Sequence, residues 1–185
     1  MGLDKAFVSL DGRPLIAHAI DRLRPQVEAL AISANGDASR FAAFGLPVLA
    51  DDPADLDAGP LAGLAAGLAF AKREGFRLVA TAPCDAPFAP GDFVARLAEA
   101  MAASRTVAAL VETPHGLEPL FALWRADALA ALRPYLAGGG RSPRDFLAAL
   151  GAVRTPFSPA PGDDPFANLN SPAELERARA KLRQA

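Results

Sequence analysis

The order of apolar runs constrains the fold of this chain more than any other feature. Short strand-like stretches alternate with helix-patterned ones, and the connections between them are only a few residues long. The sharpest instance is residues 77–82 (RLVATA), an apolar run of strand length that leads without a break into Pro83-Cys84-Asp85. A parallel strand covered on both faces reads in this way. Strand and helix in alternation, joined by short connections, make a doubly wound, mainly parallel α/β sheet the economical architecture. Ligands of such sheets bind beyond the carboxyl ends of the strands.

The individual elements follow from local pattern. Strands are predicted over residues 6–10, 27–33, 46–50, 77–82, 106–111 and 121–124, with a last one near Val153. Helices are predicted over residues 15–23, with Pro14 at the first helical position, and over 40–44, 61–73, 91–103, 127–136 and 142–150. Gly45 and Gly75 close two of them. Gly63 and Gly67, four residues apart, share a face and let their helix pack closely. The final helix opens with Ser171 as N-cap, Pro172 next and Glu174 three residues on, a capping box. No repeat or internal boundary interrupts the 185 residues, so a single domain spanning 1–185 is expected, large enough to bury about 70% of its unfolded surface.

Charge and cysteine content remove several classes. A net charge of -2 without a basic stripe argues against sequence-independent nucleic-acid binding. Cys84 is alone and cannot form an internal disulfide, and no run of 18 apolar residues exists to span a bilayer. The first residues carry two charges and no apolar leader core, so a cytoplasmic location is expected. His18, His115 and Cys84 have neither zinc-ligand nor nucleophile–base spacing, and no Walker or dinucleotide glycine motif follows a strand.

What remains is the set of polar residues just after predicted strands: Asn35, Asp51 and Asp85. Asp85, in a Pro-bounded turn (PCDAP), suits a rigid carboxylate ligand for Mg²⁺, which takes hard oxygen donors and keeps waters and phosphates as partners. The alternative is a cap for the following helix. Lys5 reads as a solvated charge and Asn35 as a turn residue unless a ligand says otherwise.

Read together and in order, DKAFVSLDGRPL, AISAN, VLADD, GPLAG, APCDAPF, EPLFALW, GGGRSPRDFL and NLNSPAEL resemble the molybdenum cofactor guanylyltransferases. That family lies within the nucleotidyltransferases of GT-A-like Rossmann fold. The resemblance runs from residue 1 to the end. It implies an enzyme that joins GTP to the phosphate of molybdopterin with Mg²⁺, making molybdopterin guanine dinucleotide and pyrophosphate. Molybdoenzymes or their chaperones would receive the product. It also implies that Lys5 contacts the nucleotide phosphates, that Asp85 holds the metal, and that Asp51 contacts the nucleotide. Gly59, Pro60 and Gly63 match the loop and helix start that close on it. The family's contacting Asn in the AISAN loop falls at Ser33, two residues before Asn35, a departure from the pattern. Asn168 and Asn170 match the acceptor-side NxN. Arg141 and Arg144 are candidates for the pterin phosphate or the pyranopterin, because their forked guanidinium groups match phosphate oxygens; the alternative is a pair of solvent-facing arginines near a helix start.

Members of the family open with an apolar strand and a loop of the form LAGGxSxRMGxDK, and this chain starts at what corresponds to the RMG methionine. The resemblance therefore implies that the first, central strand and its phosphate-binding loop are missing. Two other readings stay open: a molybdopterin cytidylyltransferase or another nucleotidyltransferase, and a non-catalytic relative that binds the cofactor.

Overall fold

The computed structural model describes residues 5–160 and 163–183. Residues 1–4, where the expectation about the chain start falls, lie outside the described residues. The architecture is mixed α/β, with eight strands and six α-helices among the described residues. Its centre is a four-stranded sheet in the order β5 (Leu78–Thr81), β7 (Gly116–Arg125), β6 (Ala108–Thr113), β8 (Val153–Pro156). β6 and β8 pair in parallel, and β7 is antiparallel to both β5 and β6. Three of the four strands thus share one direction. β7 reverses because no crossover helix separates it from β6: Thr113 pairs with Gly116 in a tight hairpin, and a hairpin can only return antiparallel.

Both faces of this sheet are covered. On one, α2 (Pro60–Glu74), α4 (Leu129–Ala137) and α5 (Pro143–Ala149) bury Leu64, Leu68, Leu132 and Phe146 against Leu110 and Trp124. The buried Trp124 indole N–H donates to Thr81 Oγ1 at 3.1 Å, which removes the cost of hiding a donor. On the other face α3 (Phe93–Ser104) packs Phe93, Leu97 and Met101 against Val111, Phe121, Phe157 and Phe166. The rings there meet edge to face, Phe121 and Phe166 at 4.9 Å between centroids, the arrangement that aromatic quadrupoles favour.

The N-terminal part is built differently. The strand expected over residues 6–10 is a 3-10 turn (Lys5–Phe7) followed by a small hairpin of β1 (Ser9–Leu10) with β2 (Arg13–Pro14). Asp11 (φ +51°) and Gly12 (φ +78°) form its turn, which leaves Pro14 as N-cap of α1 (Leu15–Leu23). Strand geometry in the next two stretches shrinks to β3 (Ile32–Ser33) and β4 (Val48–Leu49), a two-residue parallel pair. Among the described residues β3 and β5 share no hydrogen bonds. Between them lies a cavity of about 390 Å³, lined by Ile16 and Ile20 of α1, Ile32 and Ser33 of β3, and Ala82 and Cys84 after β5. α6 (Pro172–Leu182) closes the molecule, and Ala178 on it packs with Leu10, Leu15 and Leu169.

Candidate active site

Two polar clusters form at the carboxyl ends of the strands. The first is assembled from both ends of the chain. Asp85, 8% exposed, follows β5 in the Pro83-Cys84-Asp85 turn. Its carboxylate Oδ2 lies 3.5 Å from Lys5 Nζ, and Lys5 also donates to Asn170 Oδ1. The backbone carbonyl of Asp85 accepts from Leu169 N at 2.9 Å, which fastens the Asn168–Asn170 segment to the turn. Asn170 is fixed from its other side by the capping box of α6: Glu174 Oε2 accepts from Asn170 N at 2.7 Å and from Ser171 N at 2.8 Å. The Asn170 amide, and after it Ser171, hold the Glu174 carboxyl below its usual value. The helix cap therefore also orients a residue of the site.

The second cluster spans β3, β4 and the start of α2. Asn35 Nδ2 donates to Asp51 Oδ2 at 2.7 Å and Asp51 N donates to Asn35 Oδ1 at 2.9 Å, a reciprocal pair that fixes both side chains. Gly63 faces them. A Cβ built there would fall onto Ser33 Oγ and lie 3.3 Å from Ser33 Cβ and 3.9 Å from Asp51 Oδ1, so only glycine allows α2 this close. Gly59, at φ +57° and ψ −136°, is the N-cap of α2 with Pro60 next, and no side chain caps this helix start. Free N–H groups at a helix N-terminus favour anionic ligands.

These geometries place Lys5, Asp85 and Asn170 together, and Ser33, Asn35, Asp51 and Gly63 together. Asn168 is adjacent to the first cluster, and its Oδ1 is buried with no hydrogen-bond partner among the described residues. Arg141 points elsewhere: its Nη1 donates to the carbonyls of Leu136 at 3.0 Å and Gly140 at 2.7 Å, closing the end of α4. Arg144 is exposed on α5, where its charge acts on Glu118. His18 bonds the Leu10 carbonyl at 2.9 Å, and Cys84 packs beside Ile32 and Phe41, both in structural roles.

The donor chemistry fits Mg²⁺. Among the described residues no group of three or more His, Cys, Asp or Glu could hold a metal by itself. One carboxylate in the turn after β5, with an orphaned amide oxygen in the segment that its backbone carbonyl fastens, leaves most of a coordination sphere to water and phosphate, as Mg²⁺ prefers. Two acidic residues that single-motif reading passes over are Asp52, which accepts from Ala54 N at 3.0 Å, and the buried Asp55. Their partner, Arg133, lies 78 residues beyond Asp55. Only the pairing of buried Asp55 with a distant Arg could have revealed them.

A mainly parallel, doubly covered α/β sheet, with polar clusters and a glycine-opened helix at its carboxyl edge, places a ligand site where such sheets bind theirs. Residues 1–154 match the model of the MobA-like NTP transferase domain, and the chain belongs to that family. It is 43% identical over 183 residues to a protein of Cereibacter sphaeroides named molybdenum cofactor guanylyltransferase, covering 99% of this chain and 90% of that one. A protein of the same name from Rhodobacter capsulatus is 45% identical over 184 residues, covering 100% and 90%. In structure, the chain resembles the molybdopterin-guanine dinucleotide biosynthesis protein A of Archaeoglobus fulgidus. That match has a TM-score of 0.78 at 22% identity and covers 100% of this chain and 93% of that one. The 2-C-methyl-D-erythritol 4-phosphate cytidylyltransferase of Thermus thermophilus shares the fold at a TM-score of 0.66, with 18% identity and coverage of 97% and 94%. No helix among the described residues is long and apolar enough to cross a membrane.

Proposed function

We propose that this chain transfers GMP from GTP to the phosphate of molybdopterin, giving molybdopterin guanine dinucleotide and pyrophosphate, as a single domain working in the cytoplasm. The observation that carries this reading is the convergence of Lys5, Asp85 and Asn170 from three separate segments at the carboxyl edge of the sheet. The 43% identity to relatives bearing the guanylyltransferase name supports it. In the reaction an oxygen of the molybdopterin phosphate attacks the α-phosphorus of GTP. A new P–O bond forms as the bond to the β-phosphate bridging oxygen breaks, and pyrophosphate leaves.

Lys5, exposed yet tethered by Asn170, would place its ammonium against the charge that builds on the transferred phosphoryl group. Asp85 would hold Mg²⁺. When bound, the ion would draw negative charge from the phosphate oxygens and reduce repulsion between the two reacting phosphates. Ser33, Asn35, Asp51, Gly59, Pro60 and Gly63 would receive the nucleotide, and Asn168 and Asn170 the acceptor. Arg144 remains free to reach the pterin phosphate, whereas Arg141 would first have to leave its carbonyls. Molybdoenzymes or their chaperones would take the product.

Pyrophosphate release measured with molybdopterin, Mg²⁺ and either GTP or CTP tests the proposal. Release with GTP well above CTP is expected. A preference for CTP would make the chain a cytidylyltransferase. Cofactor binding without release from either nucleotide would make it a non-catalytic relative.

A further inference from the structure

The chain between Asp51 and Gly59 is a 3-10 turn, Pro53–Ala58, with little apolar anchorage. Ala58 is buried, but Leu56 stands 58% exposed, so burial alone does not set the path of this loop. The bonds it makes with itself are local: as N-cap of the turn, Asp52 accepts from Ala54 N through Oδ1 at 3.0 Å and from Asp55 N through its carbonyl at 2.8 Å. Asp55 itself is a carboxylate only 8% exposed, which needs a cation to be tolerated. Arg133 on α4 supplies one. Its Nη1 donates to Asp55 Oδ2, and its Nη2 lies 3.7 Å from Asp52 Oδ2. A single planar guanidinium thus bridges two of the loop's three acidic residues, leaving Asp57 exposed, with a two-point geometry that an ammonium cannot copy.

We infer that Arg133 is a positioning residue for the nucleotide side of the site: by tying Asp52 to Asp55 it fixes the path from Asp51 to Gly59. This rests on the proposal that Asp51, Gly59 and Gly63 receive the nucleotide. Gly59 sits in a conformation that only glycine adopts readily, so it follows wherever the turn before it is held. Asp51, bound to Asn35, adjoins Asp52 on the other side. With Arg133 removed, the loop samples other paths, and apparent affinity falls by the fraction of time it spends in the right one.

The test compares the wild-type chain with Arg133→Ala, Arg133→Lys and the double variant Arg133→Ala/Asp55→Asn. Amide hydrogen exchange is read over residues 52–59, calorimetry gives binding of GTP with Mg²⁺, and steady-state assays separate KM from kcat. Expected for Arg133→Ala are faster exchange over 52–59 and about tenfold weaker GTP binding, from a loop correctly placed about a tenth of the time. KM for GTP should rise with kcat nearly unchanged, and Arg133→Lys should recover part of the loss. The double variant, relieved of the unpaired buried charge, should regain stability but not affinity, which separates positioning from folding. Unchanged exchange over 52–59 overturns the inference, and so does a loosened loop that binds GTP as tightly as before. A wild-type chain that binds neither GTP nor CTP would sink the proposed function instead, and the exchange experiment would still decide whether Arg133 holds the loop.

Discussion

The four-stranded sheet and the β3–β4 pair each carry half of the site, but on supports of different stiffness. Asp85 follows a strand whose sheet is buried under helices on both faces, with interlocked rings on one side and Trp124 on the other. Asn35 and Asp51 follow two-residue strands that pair only with each other and border a cavity of about 390 Å³. The comparison teaches that Asp85 hangs from a strand of the main sheet and is fastened through its carbonyl to Leu169, although Ala82 and Cys84 before it line the same cavity, whereas the Asn35–Asp51 pair depends on local bonds: its own reciprocal contact, the Gly63 approach and the Arg133 bridge.

Core deletions should show this contrast most strongly. Phe166 is 1% exposed and meets Phe93, Phe121 and Phe157 edge to face. Phe166→Ala should cost about 3–5 kcal/mol in denaturant unfolding. It should also disturb the Asn168–Asn170 segment, which begins two residues later. Phe41, 4% exposed, meets one ring, Phe7, and lines the cavity, so part of its surroundings is already empty. Phe41→Ala should cost less than half as much, and equal losses would refute the difference in support.

The next contrast is in kinetics. Asp85→Ala should lower kcat about 100-fold or more, the scale of losing one group that stabilises developing charge. Its stability should change little, because the carboxylate's nearest cation is the exposed Lys5. Asp51→Ala should instead raise KM for GTP and leave kcat within about tenfold, the signature of lost ground-state binding. Steady-state assays over GTP concentration distinguish the two. A kcat defect in Asp51→Ala as large as that in Asp85→Ala would merge the clusters into one catalytic unit.

Legibility in the sequence divides along the same line. The alternation of strand and helix, the strand over residues 77–82 and the α6 capping box all appear because a two-sided core imposes its period on the residues that fill it. The strands expected over 6–10, 27–33 and 46–50 carry the same apolar content, yet only short parts of them pair. An apolar run states that a segment is buried, not what it is buried against. The reversal of β7 was hidden for a related reason: FALW reads as a strand in either direction, and only the hairpin at Thr113–Gly116 decides which. In the site, Asp85 and Asp51 were visible from their positions after strands. The Lys5–Asn170 contact joins residues 165 apart, and the Arg133 bridge joins helix to loop across 78, separations that no local pattern encodes.

Two glycines one helical turn apart on α2 give a finer test. Gly67 has open room, with a built Cβ at 3.8 Å from Val79 Cγ1, whereas one at Gly63 collides with Ser33. Gly67→Ala should therefore stabilise the chain by up to about 1 kcal/mol through helix propensity, without affecting GTP binding. Gly63→Ala gains the same propensity but must push Ser33 aside, so its stability should stay near wild type while GTP affinity drops. Melting curves and GTP titrations of both variants check this, and identical behaviour would mean that the close approach at Gly63 has no bearing on the nucleotide.

The smallest effect sets two glutamates, Glu174 and Glu118, against each other. Glu174 is held below the usual value by the amide of Asn170 and then by Ser171, so its contribution to stability is present near neutral pH. It is lost only as pH falls through that depressed value. Glu118, near the start of β7, is pushed above the usual value, first by burial and then by the Asp164 carboxylate, with Arg144 and His115 opposing. A raised acid pKa means that the native state prefers the protonated form. Stability therefore declines as pH climbs from the ordinary glutamate value through the raised one, and the penalty is complete at neutral pH. Glu118→Gln keeps the shape without the charge. It should stabilise the chain at neutral pH by no more than about 1 kcal/mol, since the carboxylate is partly in water, and give no gain below the ordinary glutamate pKa. Glu174→Gln should do the reverse, destabilising near neutrality and mattering less in acid. Denaturant unfolding of both variants across that range reads the two slopes. A Glu118→Gln gain that persists in acid would show that burial of the charge is not what the substitution relieves.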